Sequence, residues 1–162
     1  MRDIRDWLDE YGVSHRDPMN KLIHWICVPL IMISLIGLLW EIPVPETWAL
    51  RSPFFNWAVC LVFGVLVYDY FLSWRLAIGM TLTAVGMVGI VYGVSLWLTP
   101  MGWFAAGVFV LAWVGQFIGH RIEGRKPSFL KDIQFLLIGP LWLLAFVYDR
   151  VGLPIDRAVS HS

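Results

Sequence analysis

The sequence predicts an all-α, polytopic integral-membrane helical bundle with about five membrane segments, and three observations predict it. Of 162 residues, 59% are hydrophobic and only 15% charged, at a mean hydropathy of +0.70. A soluble domain carries roughly 45–50% apolar and about 25% charged residues. The apolar residues gather in long runs of membrane-crossing scale, not in alternating strand patterns. The 10 Trp and 5 Tyr suit a chain with two lipid–water boundaries, where amphipathic aromatics collect. A net charge of zero with no basic face argues against nucleic acid as a partner. A single membrane domain, 1–162, is the expectation.

Each element follows in order. Residues 1–17 set Ile4, Trp7, Leu8 and Tyr11 at helical spacing among charges, the pattern of a short amphipathic helix at the interface. They contain no apolar signal-peptide core, so the first span is expected to serve as the insertion signal. Asp17-Pro18 is an N-cap followed by proline in the first turn. The first span then covers about 22–40, bent at Pro29. "EIPVPETWALRSP" is a turn-rich connection. The second span is expected near 54–74 and the third near 76–98, with Gly79, Gly86 and Gly93 along one stripe for close helix approach. "TPMG" is a tight turn, and the fourth span covers 103–120. The fifth, 133–149, is interrupted at Gly139-Pro140, which leaves a full crossing and a re-entrant path both open. Cys27 and Cys60 sit inside apolar runs without metal-ligand spacing and serve as small apolar fillers.

Charge sets the orientation. With a cytoplasmic N-terminus, Arg2, Arg5, Arg16, Lys21, Arg75, Arg121, Arg125, Lys126 and Lys131 fall on that side. Only Arg51, Arg150 and Arg157 fall opposite. Nine of the 12 Lys and Arg thus obey the positive-inside rule.

That topology brings His15, His24 and His120 to one face, while His161 lies in a polar tail without a role. Asn20 and His24 are i, i+4, as are Gln116 and His120, and Glu123 follows three residues on. Two helices therefore each carry a polar stripe near the bilayer boundary, where such groups need partners, water or an ion. Histidines from two or more helices with a carboxylate suit iron or zinc. Asp69, flanked by Tyr68 and Tyr70, lies at the same end of the second span, as an ion pair with Arg75 or a partner of the site. Lys21, Arg121, Arg125 and Lys126 are first topology signals, and second a site for an anionic headgroup or a fatty carboxylate.

The order Tyr11, His15, Asn20, Lys21, His24, Pro29, followed by "GQFIGHRIEGRKP", resembles the small membrane family of iron-dependent 2-hydroxy fatty acid dioxygenases. A fungal member of that family acts in the endoplasmic reticulum, degrading phytosphingosine through fatty-acid α-oxidation. The resemblance covers essentially the whole chain. It implies that a 2-hydroxy fatty acid and O₂ give an acid one carbon shorter. It also implies that His15, His24 and His120 bind Fe²⁺, with Glu123 a further ligand or an orienter of His120. Asn20 and Gln116 would then orient ligands from behind, and Lys21, Arg121 or Asp69 would assist ligands or substrate. Such a ferrous ion keeps open positions for substrate and O₂, and membrane lipid shelters the alkyl tail. The membrane is the inner one if the cell is bacterial, the endoplasmic reticulum if eukaryotic. Two alternatives share the same residues: a Zn²⁺-dependent lipid hydrolase, and a non-enzymatic lipid-binding or scaffold protein whose histidines satisfy one another.

Overall fold

The computed structural model describes residues 2–127 and 134–155. Lys131, Ile133 (the first residue of the expected fifth span), Arg157 and His161 lie outside the described residues. Among those described, every regular element is a helix: α1 (Ile4–Val13), α2 (Pro18–Trp40), α3 (Glu46–Ala49), α4 (Trp57–Leu72), α5 (Trp74–Ser95), α6 (Gly102–Glu123) and α7 (Phe135–Arg150). The helices α2, α5 and α6 are long and apolar enough to cross a membrane, and α4 is a shorter apolar helix. Their outer walls stay apolar: Phe63, Leu82 and Leu111 are 68%, 71% and 72% exposed, an arrangement that suits lipid as the surrounding solvent.

Local chemistry sets the boundaries. The Asp17 side chain accepts from the N–H groups of Met19 (2.8 Å) and Asn20 (3.1 Å), so the expected cap opens α2 with Pro18 in its first turn. Asn56 caps α4 by accepting from Val59 N–H. Ser73, one extended residue, ends α4 and caps α5 through Leu76 N–H. That single-residue joint makes α4 and α5 a tight antiparallel hairpin. Gly124 adopts φ +69° and closes α6; its own N–H donates to Arg121 and that of Arg125 to His120. This left-handed cap favours glycine and ends the helix one residue after Glu123. Within the "EIPVPETWALRSP" connection the chain forms one helical turn, α3.

The tightest pairing is α2 against α6, antiparallel. A Cβ on Gly37 would lie 3.2 Å from the Ala105 Cβ, one on Gly115 would lie 2.6 Å from Cys27 Sγ, and one on Gly119 would strike Asn20 Oδ1. Three contacts at matched depth fix the register, and two belong to a Gly-x-x-x-Gly pair, the spacing that lets helix backbones meet in lipid. The expected stripe on α5 behaves otherwise. Gly79 does sit in a close approach, with Tyr148 and Leu144 against it, but Gly86 and Gly93 face open space. A seven-residue period marks one face of a helix and leaves open which part of that face meets a neighbour.

Two further elements take their detail from packing. The apolar stripe of α1 is covered by protein: Ile4, Trp7, Leu8 and Tyr11 are buried in a core with Phe135, Ile138 and Leu141 of α7, and Trp7 meets Phe135 edge-on at 5.2 Å. Gly139-Pro140 does not interrupt α7, which runs on through both residues. Gly139 is there for proximity, since a Cβ would sit 2.9 Å from the Tyr11 hydroxyl.

Candidate metal centre

The joint between α1 and α2, residues 14–17, carries His15; His24 is two turns into α2 and His120 is in the last turn of α6. Because α2 and α6 pair in antiparallel register, the start of one meets the end of the other. The three imidazoles converge there, with ring centroids 4.3 Å (His15–His24), 5.0 Å (His15–His120) and 4.9 Å (His24–His120) apart. They are 1%, 1% and 4% exposed. One nitrogen from each can be chosen so that all three lie within 4.8 Å of one another.

Hydrogen bonding assigns the tautomers of two rings. His15 Nδ1–H donates to the Tyr11 carbonyl (2.6 Å), and His24 Nδ1–H donates to the Asn20 carbonyl (3.0 Å). Backbone carbonyls accept only, so both neutral rings keep their proton on Nδ1 and present Nε2 as a bare lone pair. Those two Nε2 atoms face each other at 2.9 Å. Two lone pairs at that distance repel unless a cation lies between or beside them. His120 Nδ1 is buried with no hydrogen-bond partner among the described residues, a further polar atom awaiting one. A buried all-imidazole donor set, two of whose rings are held from behind by backbone carbonyls, suits divalent iron or zinc. The residues fit a metal ion.

Electrostatics agree at His15. Burial, and then the neighbouring His24 ring, pushes its pKa from 6.5 down to about 3, so the ring is neutral and its lone pair is available at physiological pH. Tyr11 stacks on it at 4.1 Å with planes 10° apart. Burial pushes the Tyr11 phenol up, keeping it protonated.

Glu123 is not among the residues that converge. Its carboxylate accepts from the N–H of Arg16 (2.9 and 3.1 Å), the N–H of Asp17 (2.8 Å) and Asn20 Nδ2 (3.1 Å). The carboxylate thus straps the His15 joint onto the end of α6, and it is engaged before any metal is considered. Asn20 completes the strap: its amide also donates to the Ser14 carbonyl (3.1 Å), and its carbonyl oxygen is tucked against Gly119.

Gln116 lines the same cavity as His24, His120 and Tyr11. Lys21 is half-buried, Arg121 is exposed, and neither lines that cavity. Asp69 is buried, with both carboxyl oxygens lacking a hydrogen-bond partner among the described residues, so the expected ion pair with Arg75 does not form. The Arg75 guanidinium instead lies 5.2 Å from the Trp74 ring centroid. Short spacing along the chain brings the two residues near a helix joint, but α5 starts there with a new direction. Asp69 also lies off the cavity lining.

The cavity encloses about 60 Å³, room for a few waters or one end of a ligand. Its walls turn apolar away from the imidazoles: Val28, Ile31 and Met32 of α2, Trp113 of α6, and Phe135, Leu136 and Pro140 of α7. Sequence reasoning missed these residues and the stacking role of Tyr11. The only trace was helical spacing, 24/28/31–32 on one helix and 113/116/120 on the other, which any buried face shares.

Comparisons with known proteins place the chain in a family. The family described as Mpo1-like, 2-hydroxy-palmitic acid dioxygenase Mpo1-like, matches residues 1–151. Among curated proteins, the 2-hydroxy-palmitic acid dioxygenase MPO1 of Saccharomyces cerevisiae is 26% identical over 152 residues, covering 93% of this chain and 82% of that protein. No solved structure matches. The chain belongs to the Mpo1-like family.

Proposed function

We propose that this member of the Mpo1-like family is an Fe²⁺-dependent dioxygenase that shortens 2-hydroxy fatty acids by one carbon at the cytoplasmic face of its membrane. The observation that carries the reading is the pair of bare Nε2 lone pairs 2.9 Å apart with a third buried imidazole beside them. His15, His24 and His120 hold the metal. When bound, ferrous iron supplies a centre that can engage O₂ and a chelating hydroxy acid together.

The chain's own groups do the rest. The carbonyls of Tyr11 and Asn20 fix the ring tautomers, and Glu123 with Asn20 holds the His15 joint in place. The Gln116 amide, buried beside His24 and His120, offers donor and acceptor to the substrate's carboxylate and hydroxyl. The Tyr11 hydroxyl, protonated, donates into the same space. Apolar walls keep bulk water from the reacting end. Atoms balance for one O₂ when the C1–C2 bond breaks and the products are the shortened acid, carbon dioxide and water. Formate in place of carbon dioxide and water would leave one oxygen atom over.

The topology that suits this reading is one domain with four crossings, α2, α4, α5 and α6. The fifth segment, α7, lies along the face that carries the histidines. Four contacts support that placement: Phe135 and Gly139 meet Tyr11, Phe146 meets Trp25 near the start of α2, and the Tyr148 hydroxyl donates to the Arg75 carbonyl in the first turn of α5. Both ends of α7 thus sit at one end of the bundle. Arg150 then joins the cytoplasmic side, leaving Arg51 alone opposite among the described basic residues, which strengthens the orientation.

The experiment is direct. Purified, iron-loaded protein is given 2-hydroxy C16 acid and O₂. The C15 acid and carbon dioxide should appear together, and neither should form without iron. Turnover of an ester with zinc bound, and no C15 acid with iron, would transfer the site to a hydrolase.

A further inference from the structure

The cavity at the histidines does not end blindly. Along α2 its wall runs from His24 through Val28 to Met32, two turns of helix or about 12 Å. Trp113 and Phe135 face that path from α6 and α7, and Leu136, 39% exposed, marks an opening toward the outside of the bundle. A second apolar cleft of about 180 Å³ lies between α2, α5 and α7. It shares Val28, Met32 and Pro140 with the first, so the two clefts adjoin at those residues, which form the pinch between them. The second cleft carries Met80 and Met87 beside Met32, and flexible thioethers adapt to a slim, mobile ligand better than branched side chains do.

We propose that the two clefts act as one groove, the tail site for a long unbranched acyl chain, and that Met32 is the residue that sets chain-length preference. The proposal rests on the 2-hydroxy fatty acid reading for what sits at the polar end. The groove has one polar end, at Tyr11, His24, Gln116 and His120, and apolar walls beyond. An amphiphile with a small polar head and a single tail matches that profile, whereas a two-chain lipid would need a second groove leading from the same head. An extended alkyl chain advances roughly 1.3 Å per carbon, from a C–C bond of about 1.5 Å. Met32 therefore stands about nine or ten carbons from the head. Shorter acids end before the pinch, and a C16 acid must pass it into the second cleft.

The test separates binding from turnover. Displacement of a fluorescent fatty acid by saturated 2-hydroxy acids of 8 to 20 carbons is measured for the parent, Met32→Trp, Met32→Ala and Phe63→Trp, the last on the exposed outer wall. Shortened products are measured in parallel. Met32→Trp should weaken the C16 acid at least tenfold and the C8 acid less than twofold. Met32→Ala should move the optimum to longer acids, and Phe63→Trp should match the parent. Length profiles that run parallel in the parent and both Met32 variants, or no displacement by any acid, overturn the groove. Length-dependent binding that responds to Met32 without any shortened acid upholds the groove and overturns the oxidation beneath it.

Discussion

Replacing Glu123 by Ala removes one carboxylate and every side-chain contact it makes to the His15 joint. The carboxylate accepts from the Arg16 N–H, the Asp17 N–H and the Asn20 amide at 2.8–3.1 Å. A hydrogen bond to a charged group contributes about 1.5–3 kcal/mol. Glu123 is half-exposed, and solvent screening reduces each bond to about 1 kcal/mol, so the strap totals about 3 kcal/mol. If all of that served to hold His15 beside His24, the metal would bind about 150-fold more weakly without it. The joint relaxes only in part, and outer partners of metal ligands typically account for a 10–100-fold effect. The expected loss for Glu123→Ala is therefore about 10–100-fold. Glu123→Gln should fall between, because one amide oxygen still accepts while the amide N–H groups oppose the backbone donors. The assay is competition with a chromogenic chelator in detergent, with Arg121→Ala as the exposed neighbour. A Glu123→Ala affinity within twofold of the parent would refute the strap. So would an equal loss in Arg121→Ala, which would point to overall charge instead.

Three other outcomes follow from the same geometry. The His15 pKa is pushed from 6.5 to about 3 in the folded chain, so between those values the unfolded state takes up a proton that the native state refuses. Its contribution to stability is complete above pH 6.5 and declines as pH falls, by roughly 1–2 kcal/mol at pH 5; metal-free protein should melt lower at pH 5 than at pH 7.5, and less so as His15→Gln, whereas a flat profile contradicts the burial argument. Gly115→Ala drives a methyl into Cys27 Sγ and should destabilise by about 1–3 kcal/mol. Adding Cys27→Ala should restore most of that loss, and a double variant no better than the single would remove the contact from the account. Gly86→Ala, with nothing near its Cβ, should stabilise by up to about 1 kcal/mol, while Gly79→Ala, facing Tyr148 and Leu144, should destabilise; thermal unfolding that ranks them in reverse would refute the reading of α5.

Much of the fold was legible because single residues have strong local effects. Asp17-Pro18 started a helix where a cap followed by proline should, whereas the left-handed cap at Gly124 carried the helix of the fourth span a turn beyond its expected end at residue 120. The i, i+4 pairs Asn20/His24 and Gln116/His120 carried the site, since helical spacing and antiparallel topology together bring their ends to one level. What stayed hidden was pairing. The α5 glycines had the better period, yet Gly115 and Gly119 made the close approach, because period says nothing of which helix lies opposite. Glu123 looked by spacing like a further ligand or an orienter of His120, but its partners are the Asn20 amide and the backbone N–H groups of residues 16 and 17, which every residue except proline possesses. Asp69 and Arg75 looked paired across six residues, yet the break at Ser73 turns α5 away. The amphipathic stripe of α1 was visible, but whether it meets lipid or α7 depends on contacts more than a hundred residues apart in sequence.

The measurement that tests the central claim most directly is metal content and coordination of anaerobically purified protein, by elemental mass spectrometry and X-ray absorption, for the parent and for His24→Ala and His120→Ala. The account predicts one ferrous ion per chain ligated by imidazole nitrogen, lost in both variants while their helical content and oligomeric profile are kept. A correctly folded parent that binds no metal when iron is supplied, or a His24→Ala chain that keeps its full complement, would contradict it.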